Sequence, residues 1–149
     1  MSSGAERVKQ VDPSEFISLL KKFVESKNYE LDEVFIRRII SSLYFSLFIY
    51  WANRKYFLEN KRSKGPKQDR FSFVEFVKDM ISNSLDAEIK LLHTYRIASD
   101  HYALNPTIIK HEGSAREFFG IREEVRIDKT ALRKAIESAE EILRVLKGL

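Results

Sequence analysis

Apolar residues recur at the three- and four-residue spacing of α-helices along most of this chain. The first predicted helix opens at Asp12, where Asp12-Pro13-Ser14-Glu15 combines a cap, a proline at the first helical position and a returning Glu. Phe16, Leu19, Leu20, Phe23 and Val24 form its stripe. The second and longest helix is expected from about Leu31 to Phe57, with acidic Asp32 and Glu33 at its start and Arg54 and Lys55 near its end, the charge order that suits the helix dipole. The Gly65-Pro66 pair marks Lys61 to Asp69 as a surface loop. Ser72-Phe-Val-Glu75 then reads as a capping box, with Phe71 placed to staple onto Phe76, and predicts a third helix to about Ser82. Asn83 or Ser84 is expected to cap a fourth helix carrying Ile89, Leu92, Tyr95 and Ala98, which Asn105-Pro106 ends.

From Thr107 to Ile127 the pattern is weakest. Ser114-Ala-Arg-Glu117 is expected to cap a short helix bearing Phe118 and Phe119, with Gly120 as its stop. The last helix starts at Asp128 and presents Ala131, Leu132, Ala135, Ile136, Ala139, Ile142, Leu143 and Leu146 on one side. The fold class that follows is all-α: an up-and-down bundle of four to five main helices with an irregular crossover before the last one. Residues 1–149 read as one domain, with 1–11 as a flexible tail.

Composition narrows the functional classes. The 149 residues suffice for one buried core, and the absence of cysteine excludes a disulfide scaffold and thiolate metal sites. The polar amino terminus lacks the apolar core of a secretion signal, so a cytoplasmic setting is expected. The apolar run from Leu43 to Trp51 extends back through Ile39 and Ile40, but Arg37 and Arg38 interrupt it short of the roughly 20 residues of a membrane span. It is expected to be a buried helix with no role in a membrane. The net charge of +4 is unevenly placed: Arg54 to Arg70 holds seven basic residues against two acidic ones, whereas Glu112 to Leu149 holds eight of each sign. That basic run suits a polyanion and equally a solvated loop.

The candidate chemistry lies in Tyr95-Arg-Ile-Ala-Ser-Asp-His-Tyr102. Arg96 and His101 supply a guanidinium able to neutralise a phosphate and an imidazole able to exchange protons with a ribose hydroxyl or leaving oxygen. In a regular helix, five residues rotate through about 500°, so the two side chains stand about 140° apart. They converge only if the helix ends near Ala98 to Asp100, or if a second subunit supplies the missing partner. Plainer roles exist: Arg96 as the partner of Glu88 or another carboxylate, His101 as a helix cap, His93 as a packing histidine and His111 as a surface residue. The three histidines show no zinc spacing, no metal or cofactor is expected, and no glycine-rich phosphate loop is present. Tyr44, Phe45, Phe48, Tyr50 and Trp51 are expected to be core.

Three features together resemble the HEPN superfamily of small helical-bundle proteins, found in prokaryotic toxin-antitoxin pairs, RNA processing and CRISPR effectors. They are the segment Arg38-Ile-Ile-Ser-Ser-Leu-Tyr-Phe-Ser-Leu-Phe48, similar to a pattern used near the bundle centre, the Arg96-x4-His101 motif, and the final helix from Lys129 to Lys147. The resemblance implies a homodimer whose two motifs meet in a composite, metal-independent endoribonuclease site. His101 would exchange the proton of the 2′-hydroxyl or the 5′-oxygen, Arg96 would stabilise the charged phosphate, Ser99 and Asp100 would orient His101, and Tyr102 would contact RNA or pack. Active members commonly carry a polar residue directly after the Arg, where this chain has Ile97. Two alternatives stand beside this one. The first is a noncatalytic module that binds a nucleotide or a protein, such as a nucleotidyltransferase partner in a toxin-antitoxin pair, and the second is a structural dimer without a ligand.

Overall fold

The computed structural model describes residues 12–26, 32–60 (backbone only for 56–60) and 71–148. The expected tail at 1–11, the start of the second helix at Leu31 and the Gly-Pro loop at 61–69 lie outside these residues. Among the described residues the chain forms six helices and two short strands: α1 Ser14–Glu25, α2 Glu33–Asn60, α3 Phe73–Ser82, α4 Asp86–His101, β1 Thr107–Lys110, α5 Ser114–Phe119, β2 Arg122–Val125 and α6 Lys129–Gly148. This is an all-α helical bundle with a small accessory hairpin.

Local chemistry sets several of the helix ends. Asp12 accepts hydrogen bonds from the Ser14 backbone N–H and hydroxyl at 2.9 and 2.6 Å, and the Pro13 carbonyl accepts from the Ile17 N–H. The Ser72 hydroxyl accepts the Glu75 N–H at 3.2 Å, one half of a capping box, while the Glu75 carboxylate pairs with Lys78. Phe71 packs edge-on to Trp51. Asp128 accepts the Ala131 N–H at 2.8 Å and starts α6 as expected. At α4 the expectation fails: neither Asn83 nor Ser84 caps it. Asn83 turns back to donate to the Asp79 carbonyl, Ser84 takes a left-handed backbone (φ 63°), and Leu85 precedes the helix. The α3–α4 turn is too tight to leave a polar side chain over the first N–H groups of α4.

The core lies where α2, α4 and α6 pack on one another, with α1 against α6 and α3 against α2 and α4. All eight expected apolar positions of α6 are buried. From α2 come Ile36, Ile40, Leu43, Tyr44, Leu47 and Trp51, and from α4 Ile89, Leu92 and Ala98. Each large side chain of this set contributes about 1.5–3 kcal/mol. The segment Glu33–Lys55 is long and apolar enough to cross a membrane by length and composition, and its inner face is the centre of this core. Of the expected α1 stripe Leu20 is buried, beside Ile17 from outside that stripe, while Leu19 stays 66% exposed because α1 meets the bundle along one narrow face.

The crossover is more ordered than its sequence pattern indicates. Strands β1 and β2 pair antiparallel, Thr107 opposite Val125 and Lys110 opposite Arg122, with α5 in the connection between them. Ile109 and Val125 anchor this hairpin in the core. Gly113 and Gly120, both at positive φ, bracket α5. The Asn105 side chain closes the base of the crossover, accepting from the Ile127 N–H at 2.8 Å and donating to the Ile127 carbonyl at 2.7 Å and to Glu33 at 2.6 Å.

Candidate functional site

Arg96 projects from α4 into a cradle of three rings. Its guanidinium carbon lies 4.8 Å from the centroid of Phe73, 5.3 Å from Phe45 and 5.5 Å from Tyr44. A cation over several partly desolvated ring faces gains about 0.5–2 kcal/mol per ring. One turn further on, Asp100 places Oδ2 3.1 Å from Arg96 Nε, an ion pair without the alignment of a hydrogen bond. Ser41 on α2 donates to the same Asp100 oxygen at 3.2 Å. The Arg96 side chain is 13% exposed, and its terminal nitrogens make no hydrogen bond among the described residues. The charge is therefore held in one position while its strongest donors stay available.

His101 is the last residue of α4 and is exposed, with no side-chain hydrogen bond or ion pair among the described residues. The helix is unbroken from Arg96 to His101, and the Tyr102 N–H still bonds to the Ala98 carbonyl. The two side chains thus leave the helix about 140° apart. Of the two routes to convergence, the early helix end does not occur.

The other expected site residues divide. Asp100 engages Arg96 and Ser41 instead of orienting His101. Ser99 has its hydroxyl oxygen buried without a hydrogen-bond partner among the described residues. Tyr102 is half-buried: its phenol oxygen accepts the Lys110 N–H at 3.2 Å and ties β1 to the end of α4. It packs, and its hydroxyl is engaged by the backbone.

Arg37 has a role that sequence reasoning missed. From α2 its Nη1 donates to the carbonyls of Ala98 at 2.7 Å, Ser99 at 3.2 Å and Tyr102, while Nε donates to Glu33 at 3.0 Å. The Ser99 and Tyr102 carbonyls, which have no other donor among the described residues, are thereby satisfied by a cation, where the helix dipole favours one. Its only sequence signal is a charge inside an apolar run. Asn105 and Arg37 share Glu33, whose carboxyl they hold below the usual carboxylate range, the Asn105 hydrogen bond being the larger cause.

Beside Arg37 a cleft of about 360 Å3 opens between α2 and α4, lined by Arg37, Arg38, Ser41, Ser42, Ser99 and Asp100. The segment from Arg38 to Phe48, expected near the bundle centre, is split by its helical period. Leu43, Tyr44 and Leu47 face inward, while Arg38, Ser42 and Phe45 are exposed. A larger groove of about 520 Å3 between α4, β2 and α6 contains neither Arg96 nor His101 and mixes Lys90, Arg126 and Lys134 with Glu123, Glu124 and Asp128.

The remaining histidines are internal. His93 is buried, as a packing histidine would be, with Nδ1 3.0 Å from the Tyr44 hydroxyl. Burial, and to a lesser extent the Arg96 and His111 charges, push its pKa down to about 4. His111, expected at the surface, is buried against Phe119, with Nε2 3.9 Å from Glu123 Oε2. The hairpin carries it inward directly after β1, a long-range pairing its polar neighbours Glu112 and Gly113 do not reveal. Among the described residues no cluster of three or more His, Asp and Glu side chains is arranged to hold a metal ion.

Compared with models of known protein families, with characterised proteins and with solved structures, the chain matches none.

Proposed function

We propose that this chain is a HEPN-like, RNA-directed protein acting as a metal-independent endoribonuclease, with Arg96 and His101 working across a homodimer interface. One observation carries this reading: Arg96 is held by three rings and Asp100 with its terminal donors unused among the described residues, on the same helix as an exposed His101 that engages none of those residues by hydrogen bond or ion pair. An immobilised cation whose donors await an anion is what electrostatic stabilisation of a phosphorane-like charge requires. Because α4 is continuous through His101, the two groups diverge within one copy, so the composite site draws Arg96 and His101 from different copies. The outer stripe of α2 supports the association, since Val34, Phe45 and Ile49 are exposed on one side of that helix.

In the reaction, the ribose 2′-oxygen attacks phosphorus and the bond to the 5′-oxygen breaks, leaving a 2′,3′-cyclic phosphate and a 5′-hydroxyl. His101 accepts the 2′-hydroxyl proton, and the imidazolium so formed gives a proton to the departing 5′-oxygen. Arg96 stabilises the charge on the non-bridging oxygens.

A noncatalytic module that binds a nucleotide or a protein, such as a nucleotidyltransferase of a toxin-antitoxin pair, is favoured by Ile97. Its side chain packs on the core and offers no polar group beside Arg96. The two readings separate on cleavage of a mixed-sequence RNA in EDTA. Cyclic-phosphate ends from the parent, lost in His101→Ala, support the ribonuclease. A folded parent that leaves the RNA intact and copurifies with a nucleotide or a second protein supports the module.

A further inference from the structure

The three arginines around the end of α4 are not in the same state. Arg37 is committed to Glu33 and to the α4 carbonyls, and Arg96 has its charge matched by Asp100. Arg38 is exposed and has no ion pair or hydrogen bond among the described residues. It lines the cleft with Ser41, Ser42 and Ser99, whose buried oxygen lacks a partner among the described residues. Among the described residues the only acidic group in that lining is Asp100, already paired with Arg96 and bonded by Ser41. A cation with no charge partner among the described residues and the Ser42 hydroxyl, beside a carboxylate already paired, make a cleft suited to an anion with several acceptor oxygens. At about 360 Å3 it falls within the range of ligand sites, about 300–1,000 Å3.

Its position relates it to the candidate chemistry. Positions 34, 38, 41, 45 and 49 of a regular helix fall within about 80° of one another, so Arg38 belongs to the same outer stripe of α2 as Val34, Phe45 and Ile49. Across the cleft stand Ser99 and Asp100, directly before His101 in the chain. We infer that the Arg38 cleft is a phosphodiester subsite that grips the RNA backbone one or more nucleotides away from the scissile phosphate. This inference rests on the proposed RNA-directed function and assigns Arg38 to binding, with Arg96 kept for the reacting phosphate.

The test uses full-length protein carrying His101→Ala, so that a fluorescein-labelled single-stranded RNA stays intact, with fluorescence anisotropy read in EDTA over a range of salt concentrations. Adding Arg38→Ala should raise Kd about tenfold and lower the slope of log Kd against log salt by about 0.7, the loss of one phosphate contact on a single strand. Arg38→Lys should restore the slope but only part of the affinity, because an ammonium lacks the bidentate fork. In the cleavage assay, Arg38→Ala should raise KM and leave kcat within about twofold. Unchanged Kd and slope in a folded Arg38→Ala protein would overturn the subsite while leaving the ribonuclease reading intact. If the protein binds no RNA at all, inorganic phosphate is titrated with amide chemical shifts as the readout. Perturbation of Arg38, Ser42 and Ser99 that disappears in Arg38→Ala keeps the cleft as a phosphate site and rejects its RNA role. No perturbation there overturns the inference outright.

Discussion

Asp100 stands one helical turn after Arg96 and holds the Nε edge of its guanidinium, Oδ2 lying 3.1 Å from Nε, while three aromatic rings lie within 5.5 Å of the guanidinium carbon. The pair is local in sequence, yet its meaning comes from α2 and α3, which supply Ser41, Tyr44, Phe45 and Phe73. Asp100→Asn keeps the shape and removes the charge, so Arg96 loses one of its restraints. Cleavage of RNA should fall roughly tenfold or more, as expected when a positioning contact is lost. Urea denaturation should show a loss of no more than about 1 kcal/mol, the scale of a partly exposed ion pair. Equal cleavage rates for the parent and the variant would show that Asp100 does not position Arg96 for the reaction.

Arg37 is the stronger structural element. Removing its side chain leaves the Ser99 and Tyr102 carbonyls without a donor among the described residues and leaves Glu33 without its ion pair. Arg37→Ala should cost about 2–4 kcal/mol, measured by urea denaturation. Arg37→Lys should recover less than half of that, since an ammonium cannot span Glu33 and the α4 carbonyls together. Hydrogen exchange should quicken first at the amides of Asp100 to Tyr102. A loss below 0.5 kcal/mol would mean that water replaces the guanidinium without penalty.

His93 makes stability depend on acidity. Burial lowers its pKa from 6.5 to about 4 in the folded chain, so between those values the unfolded chain binds the extra proton. Stability is full above about pH 6.5, falls as the pH drops, and this contribution is spent once the pH passes below about 4. The full span corresponds to about 3 kcal/mol. Arg96, His111, the Tyr44 hydroxyl and the ring of Phe119 are the groups that face it. Denaturation midpoints for the parent and for His93→Gln at pH 7, 5.5 and 4.5 test this. The variant should show the shallower pH dependence, and parallel curves would remove His93 from the explanation.

The exposed stripe of α2 gives a test of association. Ile49 is 44% exposed, so Ile49→Asp should leave the monomer folded. Placed at an apolar interface, the carboxylate should shift sedimentation from dimer to monomer and abolish cleavage, because one copy cannot bring Arg96 and His101 together. Mixing Arg96→Ala with His101→Ala protein should restore part of the parent activity through mixed dimers. A parent that sediments as a monomer and still cleaves RNA would end the composite-site model.

The helices were legible because their information is local. The α6 stripe came through entire, since eight apolar positions spaced three or four apart have one face in common whatever they pack on. The cap at Asp128 was equally visible, being a contact between residues three apart. Arg96 and His101 were legible as residue types, and their divergence followed from helical rotation once α4 was known to be unbroken.

What the amino-acid order determined by itself was therefore the helical class, most element positions, the α6 core face and the candidate motif. Only the tertiary structure decided the β1–β2 pairing, the burial of His111, the cradle around Arg96, the carbonyl clamp by Arg37 and the isolation of Arg38 in an open cleft. Each of these joins groups far apart in the chain. Whether a charged side chain is neutralised, caged or left free is set by the neighbours that packing brings to it, and short-range periodicity carries no record of those neighbours.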